Sequence, residues 1–229
     1  MDDVVVMRGG GTVWDPRLGR VPQFDERSRQ FGIRAAIEAK HPRSYTWSCA
    51  PRLDQGSEGA CVGFAWAHEL AARPAVVPAS EGLARSIYHE AQRIDEWAGE
   101  DYEGTSVLAG AKATMARGHL KEYRWAFGLA DLVLAVGYAG PAVLGTWWHE
   151  GMFDAGECGW LHVTGDRAGG HAYLVNGVSV PDRTFTVHNS WGPTWGTAGE
   201  AKIGWDDMER LLHDGGEACV PIARVRPRS

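Results

Sequence analysis

The 229-residue chain is 44% hydrophobic, enough for one domain or one domain in two lobes, and no run approaches the ~18 apolar residues of a membrane span. Its net charge of −6 provides no electrostatic footprint for nucleic acid or anionic lipid. Four cysteines without a Cys-x-x-Cys exclude a disulfide scaffold, and the His-Glu pairs at His68, His89 and His149 lack the second His of a zinc helix, so neither metal nor cofactor is expected.

Residues 1–45 read as an irregular polar arm with a Gly9–Gly11 run, Pro16 and Pro22. At most one short helix fits there, around Ile33–Ile37, and the arm is expected to lie extended on the surface. The first residues are acidic where a signal peptide is basic, which predicts a cytoplasmic product. Residues 46–229 read as one domain, with a helical lobe over about 54–128 and a sheet lobe over about 129–229. The spacing predicts a helix over Cys61–Ala72, stopping before Pro74. A second helix spans about Ala79–Glu96, with Leu83, Ile87, Tyr88, Ala91 and Ile94 on one face. An acidic loop, Glu96–Glu103, leads to a third helix that Thr105 or Ser106 caps and that ends near Gly118. From Leu129 the period changes. A short helix over Ala130–Val136 precedes a strand at Pro141–Trp147, a turn at Gly151–Phe153 and a loop over Gly159–Ala168. Strands follow at Tyr173–Val180, Thr184–His188, Ala201–Ile203 and Cys219–Val225, with a brief helix at Met208–His213. Helices first and strands second argue an α+β fold whose two lobes meet at a cleft.

The most informative stretch is Gln55-Gly56-Ser57-Glu58-Gly59-Ala60-Cys61, a glycine loop running into an apolar helix. A thiol at a helix N-terminus faces unpaired N–H groups, which favour thiolate. A lone Cys there is more often a small buried hydrophobe, so a base and an orienting group are required elsewhere. Gly169-Gly170-His171-Ala172 places a His at the start of an apolar strand, and Asn189-Ser190-Trp191-Gly192 closes another. Cys, His and Asn in that order, with Gln55 six residues before the thiol, resemble the papain-like cysteine peptidases. The likeness covers about residues 46–229 in outline. Glu58 stands where the family's motif carries a disulfide cysteine, and Gly170 where an acidic or polar residue is common.

The resemblance implies a two-lobed papain-like fold and a peptidase acting on a protein or peptide substrate. Cys61 would be the nucleophile, paired as thiolate with an imidazolium at His171, so that alkylation stays fast at pH 6. Asn189 would orient the ring, Trp191 would shield that bond, and Gln55 would hold the oxyanion. His188 is a rival base, expected to face away from the cleft. Asn176 is a rival orienter, read as a turn residue. By the same resemblance Gly104 would meet the substrate backbone, Gly145 and Ala172 would wall the specificity pocket, and Arg224 would stand near its floor and favour acidic substrates. Cys158 and Cys219 would be neighbours within ~7 Å, able to form a disulfide, with Cys49 free. A monomer is expected, with no nucleic-acid or membrane partner, and the features suit a bacterial or phage-encoded enzyme. Two alternatives stand beside it: an amidase acting on peptidoglycan stem peptides, and a silent papain fold kept for binding or assembly.

Overall fold

The computed structural model describes residues 5–7, 10–39, 41–97, 103–156 and 158–225. Helix α1 (Cys61–Ala71) is buried along its whole length. Apart from His68 and Glu69 near its end its side chains are apolar or small, so it sits inside the protein, between helices α2 and α3 and the sheet. It ends as Ala72 turns to an extended conformation two residues ahead of Pro74. Helix α2 (Glu81–Ile94) buries Ala84, Ile87, Tyr88 and Ala91, and Ser80 caps it by accepting from the Leu83 N–H at 3.2 Å. Helix α3 (Val107–Ala116) is capped by Ser106, which accepts from the Ala109 N–H at 3.0 Å. Each cap contributes roughly 1 kcal/mol.

The other lobe is an eight-stranded sheet. Strands β3 (Tyr45–Thr46), β4 (Tyr123–Trp125), β5 (Ala142–His149), β6 (Trp160–Leu161), β7 (Arg167–Ser179), β8 (Thr184–His188), β9 (Glu200–Gly204) and β10 (Glu217–Pro221) build it. Their order is β4-β10-β5-β7-β8-β9-β6, with β3 on β7. All pairs are antiparallel except β6 on β9. Helices α4 (Leu129–Leu134) and α5 (Trp205–His213) flank it, and β1 (Val5–Val6) pairs with β2 (Thr12–Val13) in the arm. The α+β class and the two lobes match the sequence reading.

Several details differ from it. β7 begins six residues earlier than the pattern indicates, because Gly169 and Gly170 pair with Trp148 and Trp147 and extend the ladder. Asn176 lies inside β7, at a bulge opposite β8, and not in a turn. Its Nδ2 donates to the Trp47 carbonyl at 3.3 Å and to Glu200 at 3.2 Å. The arm is only partly on the surface: Leu18, Arg20 and Ile33 are buried, while Trp14, Phe24 and Phe31 are exposed. It holds two short 3-10 turns, Glu26–Gln30 and Ile33–Ala36, where one helix was expected. All four cysteines are free. Cys219, buried on β10, and exposed Cys158, beside β6, belong to strands separated by four others in the sheet order, which contradicts their expected pairing.

Candidate active site

His171 lies on β7, and its Nε2 is 2.8 Å from the Asn189 amide oxygen. That acceptor makes Nε2 the protonated nitrogen. Nδ1 is buried without a hydrogen bond of good geometry among the described residues, and the Arg17 backbone lies close to the ring. The backbone N–H groups of Ala172, the next residue on β7, and of Val62 lie near enough the Cys61 sulfur at the start of α1 to favour its charged form. The tryptophan rings of Trp148 and Trp191 stand 4.8 and 4.9 Å from the imidazole and enclose its bond to Asn189. Residues 53–55 pair with 190–192, Gln55 donating its N–H to the Ser190 carbonyl and Gly192 to that of Leu53. The Ser190 hydroxyl donates to Gln55 Oε1 at 2.7 Å. That bond turns the donor end of the amide, Nε2, the other way.

Nε2 meets the chain's own N-terminal arm. It donates to the Glu58 carbonyl at 2.7 Å and to the Arg17 carbonyl at 3.1 Å. Two residues on, the Gly19 N–H faces the Cys61 sulfur. Gly19 then accepts from the Thr105 N–H at 3.0 Å, the Arg20 N–H donates to the Gly170 carbonyl at 3.0 Å, and the Val21 N–H donates to Thr105 at 2.9 Å. The arm therefore runs through the cleft as an added strand, bridging β7 on one wall and the segment before α3 on the other. Small residues make room for it. A Cβ on Gly19 would stand 1.8 Å from the Gly59 carbonyl oxygen, and one on Gly170 would stand 2.0 Å from that of Arg20. This explains why Gly170 departs from the resembled pattern. Gln23 accepts from the Ser106 hydroxyl and fixes the strand's exit.

Burial reverses the electrostatics expected of the thiol. Burial pushes Cys61 up to about 11, against the pull of the Ala172, Gly19 and Val62 N–H groups. Burial also drives His171 down to about 4, with the Asn189 bond opposing it. Both shifts run against the thiolate–imidazolium pair expected from the resemblance. Taking both groups out of water costs more than the local dipoles return.

The predicted substrate-side residues fall into two groups. Gly145 borders the arm, where a Cβ would stand 2.8 Å from Arg20 Nε, and buried Ala172 pairs with it across the β5–β7 ladder. Gly104 touches the arm through its bare Cα, but Thr105 supplies the backbone hydrogen bonds. Trp191 carries the Arg17 guanidinium 4.2 Å above its ring. Arg224 is elsewhere, and its assignment to the pocket floor is wrong. It donates to the carbonyls of Leu70, Ala72 and Ala75 and pairs with Glu69 at 3.3 Å. That is the far end of α1, roughly 15 Å along the helix from Cys61. The residue facing Gly145 across the β5–β10 ladder is Glu217, which the sequence reading missed. Its signal was a lone carboxylate beside the apolar run Ala218-Cys219-Val220. Ser190 and Trp148 were missed too.

A second Cys–His pair exists. The Cys49 sulfur is 3.8 Å from His188 Nε2. That nitrogen faces the Pro51 carbonyl at 2.9 Å, while the Cys49 thiol donates to the His68 carbonyl at 3.3 Å. Burial pushes this thiol up to about 12. His188 points into the interior, against His68, Arg52 and Glu200. Both groups are committed to carbonyl acceptors, and neither faces the cleft.

No family model matches the sequence, and no curated protein does either. Solved structures do match. Xylellain, a cysteine protease from Xylella fastidiosa, is 18% identical over 93% of this chain and 97% of its own, with a TM-score of 0.69. A procathepsin B from Trypanosoma congolense is 13% identical over 92% and 84%, with a TM-score of 0.56. A stem bromelain precursor is 17% identical over 90% and 76%, also at 0.56. The fold of this chain is that of the papain-like cysteine proteases.

Proposed function

We propose that the protein is a cysteine peptidase held closed by its own arm. The observation that carries this reading is the arm itself. An extended peptide already lies in the cleft, with one carbonyl on Gln55 Nε2 and a nearby N–H on the Cys61 sulfur. A substrate peptide entering in its place finds the same groups. Cys61 attacks the carbonyl carbon, and its proton passes to Nδ1 of His171, the ring nitrogen that Asn189 does not hold. Asn189 keeps the other nitrogen protonated and the ring in plane. Gln55 Nε2, aimed by Ser190, donates to the oxyanion. The imidazolium then protonates the leaving amine, and the neutral ring activates water to release the acyl group.

With the arm displaced, water re-enters the cleft, and the burial that disfavours the thiolate and the imidazolium is relieved. The test, on protein whose arm is displaced by Gly19→Ala, is labelling with an epoxide warhead that alkylates papain-like enzymes, together with hydrolysis of a peptide panel. Labelling confined to Cys61, and loss of hydrolysis in Cys61→Ala, is the expected result. Labelling of Cys49, or hydrolysis surviving in Cys61→Ala, would overturn the assignment.

A further inference from the structure

The loop between Gln55 and Cys61 has no covalent tie. Glu58 occupies the place of the disulfide cysteine in the resembled motif, and all four cysteines of this chain are free. Ala60, which caps α1, offers no side-chain acceptor. Yet this loop sets the oxyanion donor against the sulfur. Gln55 Nε2 donates to the Glu58 carbonyl at 2.7 Å, and Cys61 follows three residues later.

Glu103 supplies a tie of another kind. Its Oε2 accepts from the Gly59 N–H at 3.2 Å and from the Tyr88 hydroxyl at 3.0 Å. The same hydroxyl accepts from the Gly104 N–H at 2.9 Å and from Gln92 Nε2 at 2.8 Å, so its one donor and both acceptor positions are used. Burial and the charge on Glu103 raise the Tyr88 pKa, which keeps that donor proton in place. One carboxylate oxygen thereby joins the loop before Cys61, the middle of α2 and the cleft wall at Gly104. Both bonds to it are charge-assisted, and such bonds are stronger than neutral ones. Gly59 is buried, and its bare Cα lets the carboxylate approach: a Cβ there would stand 2.9 Å from Oε2. Without the carboxylate, a buried N–H two residues ahead of the nucleophile loses its acceptor. The outer tie on the same loop, Glu58 to Arg85 Nε at 2.8 Å, is partly exposed, where ion pairs contribute little. The arm meets Glu103 at the backbone, where the Glu103 N–H donates to the Val6 carbonyl at 3.1 Å, and takes no part in the carboxylate bonds.

On the basis of the peptidase reading, we infer that Glu103 is a positioning residue for the oxyanion loop, its carboxylate holding Gly59 so that Gln55 and Cys61 stay in register for attack. The two hydrogen bonds to Oε2 take the part of a covalent cross-link. Unlike a disulfide, a clasp of this kind is indifferent to thiol reductants.

The test compares Glu103→Ala and Glu103→Gln with their parent, the full chain carrying Gly19→Ala. The epoxide warhead titrates reactive Cys61 in each, so that kcat refers to folded enzyme. Glu103→Ala should lower kcat at least about tenfold with KM within about twofold, because a displaced oxyanion donor costs rate and not binding. Glu103→Gln should regain most of that loss, since an amide oxygen can take both donors. Hydrogen exchange provides an independent readout: the Gly59 N–H should exchange slowly in the parent and in Glu103→Gln, and fast in Glu103→Ala. An unchanged kcat per titrated site in Glu103→Ala, with or without loss of folded protein, overturns the positioning role and leaves the peptidase reading intact. A parent that hydrolyses no peptide overturns the peptidase reading, and Gly59 exchange then decides the clasp alone: equal rates in all three proteins overturn it, and fast exchange in Glu103→Ala only supports it. Should Glu103→Ala fail to fold, Tyr88→Phe replaces it. That variant removes one of the two donors and should lower kcat in the same direction, and an unchanged kcat overturns the proposal.

Discussion

Gln55 holds the donor end of its amide on the carbonyl oxygen of Arg17, a residue 38 positions earlier in the chain. The group suited to stabilise an oxyanion thus spends the closed state on a carbonyl of the protein's own backbone. The first prediction concerns this group. Gln55→Ala, in protein opened by an arm variant, should lower kcat by roughly 10²–10³ with little change in KM, because the donor acts on charge that develops in the transition state. Steady-state kinetics on one peptide checks it. A loss confined to KM would assign Gln55 to ground-state binding.

A second prediction concerns the arm. In Gly19→Ala the added Cβ would collide with the Gly59 carbonyl, which is backbone and cannot rotate away. The arm should therefore leave the cleft while the two lobes stay folded. Haloacetamide alkylation of Cys61, slow in the wild type at pH 6 and pH 7.5, should become fast. Gly11→Ala provides the control, since its Cβ would meet nothing within 4 Å. Equal alkylation rates in wild type and Gly19→Ala would contradict closure by the arm.

Burial of His171 sets a pH dependence for the closed form. The folded ring titrates at about 4 and the unfolded one near 6.5, so between those values the unfolded chain binds the extra proton. Stability is full above pH 6.5 and declines as pH falls toward 4, by an amount on the order of 3 kcal/mol. Denaturation midpoints between pH 7 and 4.5 measure it. His171→Gln should remove most of the slope that this residue contributes.

Arg224 is predicted to matter for stability and not for specificity. Its guanidinium satisfies three carbonyls at the end of α1 and is the charge partner of Glu69, whose carboxyl burial pushes up to about 7. Arg224→Ala leaves that carboxyl alone in the interior, which costs roughly 3–5 kcal/mol. Urea unfolding should show the loss, and the peptide preference of whatever remains folded should match the wild type. A changed preference would return Arg224 to the cleft.

Local pattern alone determined a good deal about this protein. The apolar run after Gly59 specified a buried helix with Cys61 at its start, Ser106 was one of two candidate caps and does form one, and alternation placed His188 and Asn189 on opposite faces of the chain. Each of these depends on residues a few positions apart, so the sequence carries them directly. Only the tertiary structure decided where the arm lies, which residue of the last strand faces Gly145 and how deeply Cys61 is buried. Arg17, Gly19 and Arg20 have no periodicity, and their partners Gln55, Gly170 and Glu217 are up to 197 residues away. Counting along the last strand gave Arg224 in place of Glu217, because the choice rests on the β5–β10 register, which pairs Glu217 with Gly145. The thiol was misjudged for a related reason. The helix terminus that favours a thiolate is visible in sequence, but the larger, opposing effect of burial arises only once a distant segment of the chain covers the sulfur.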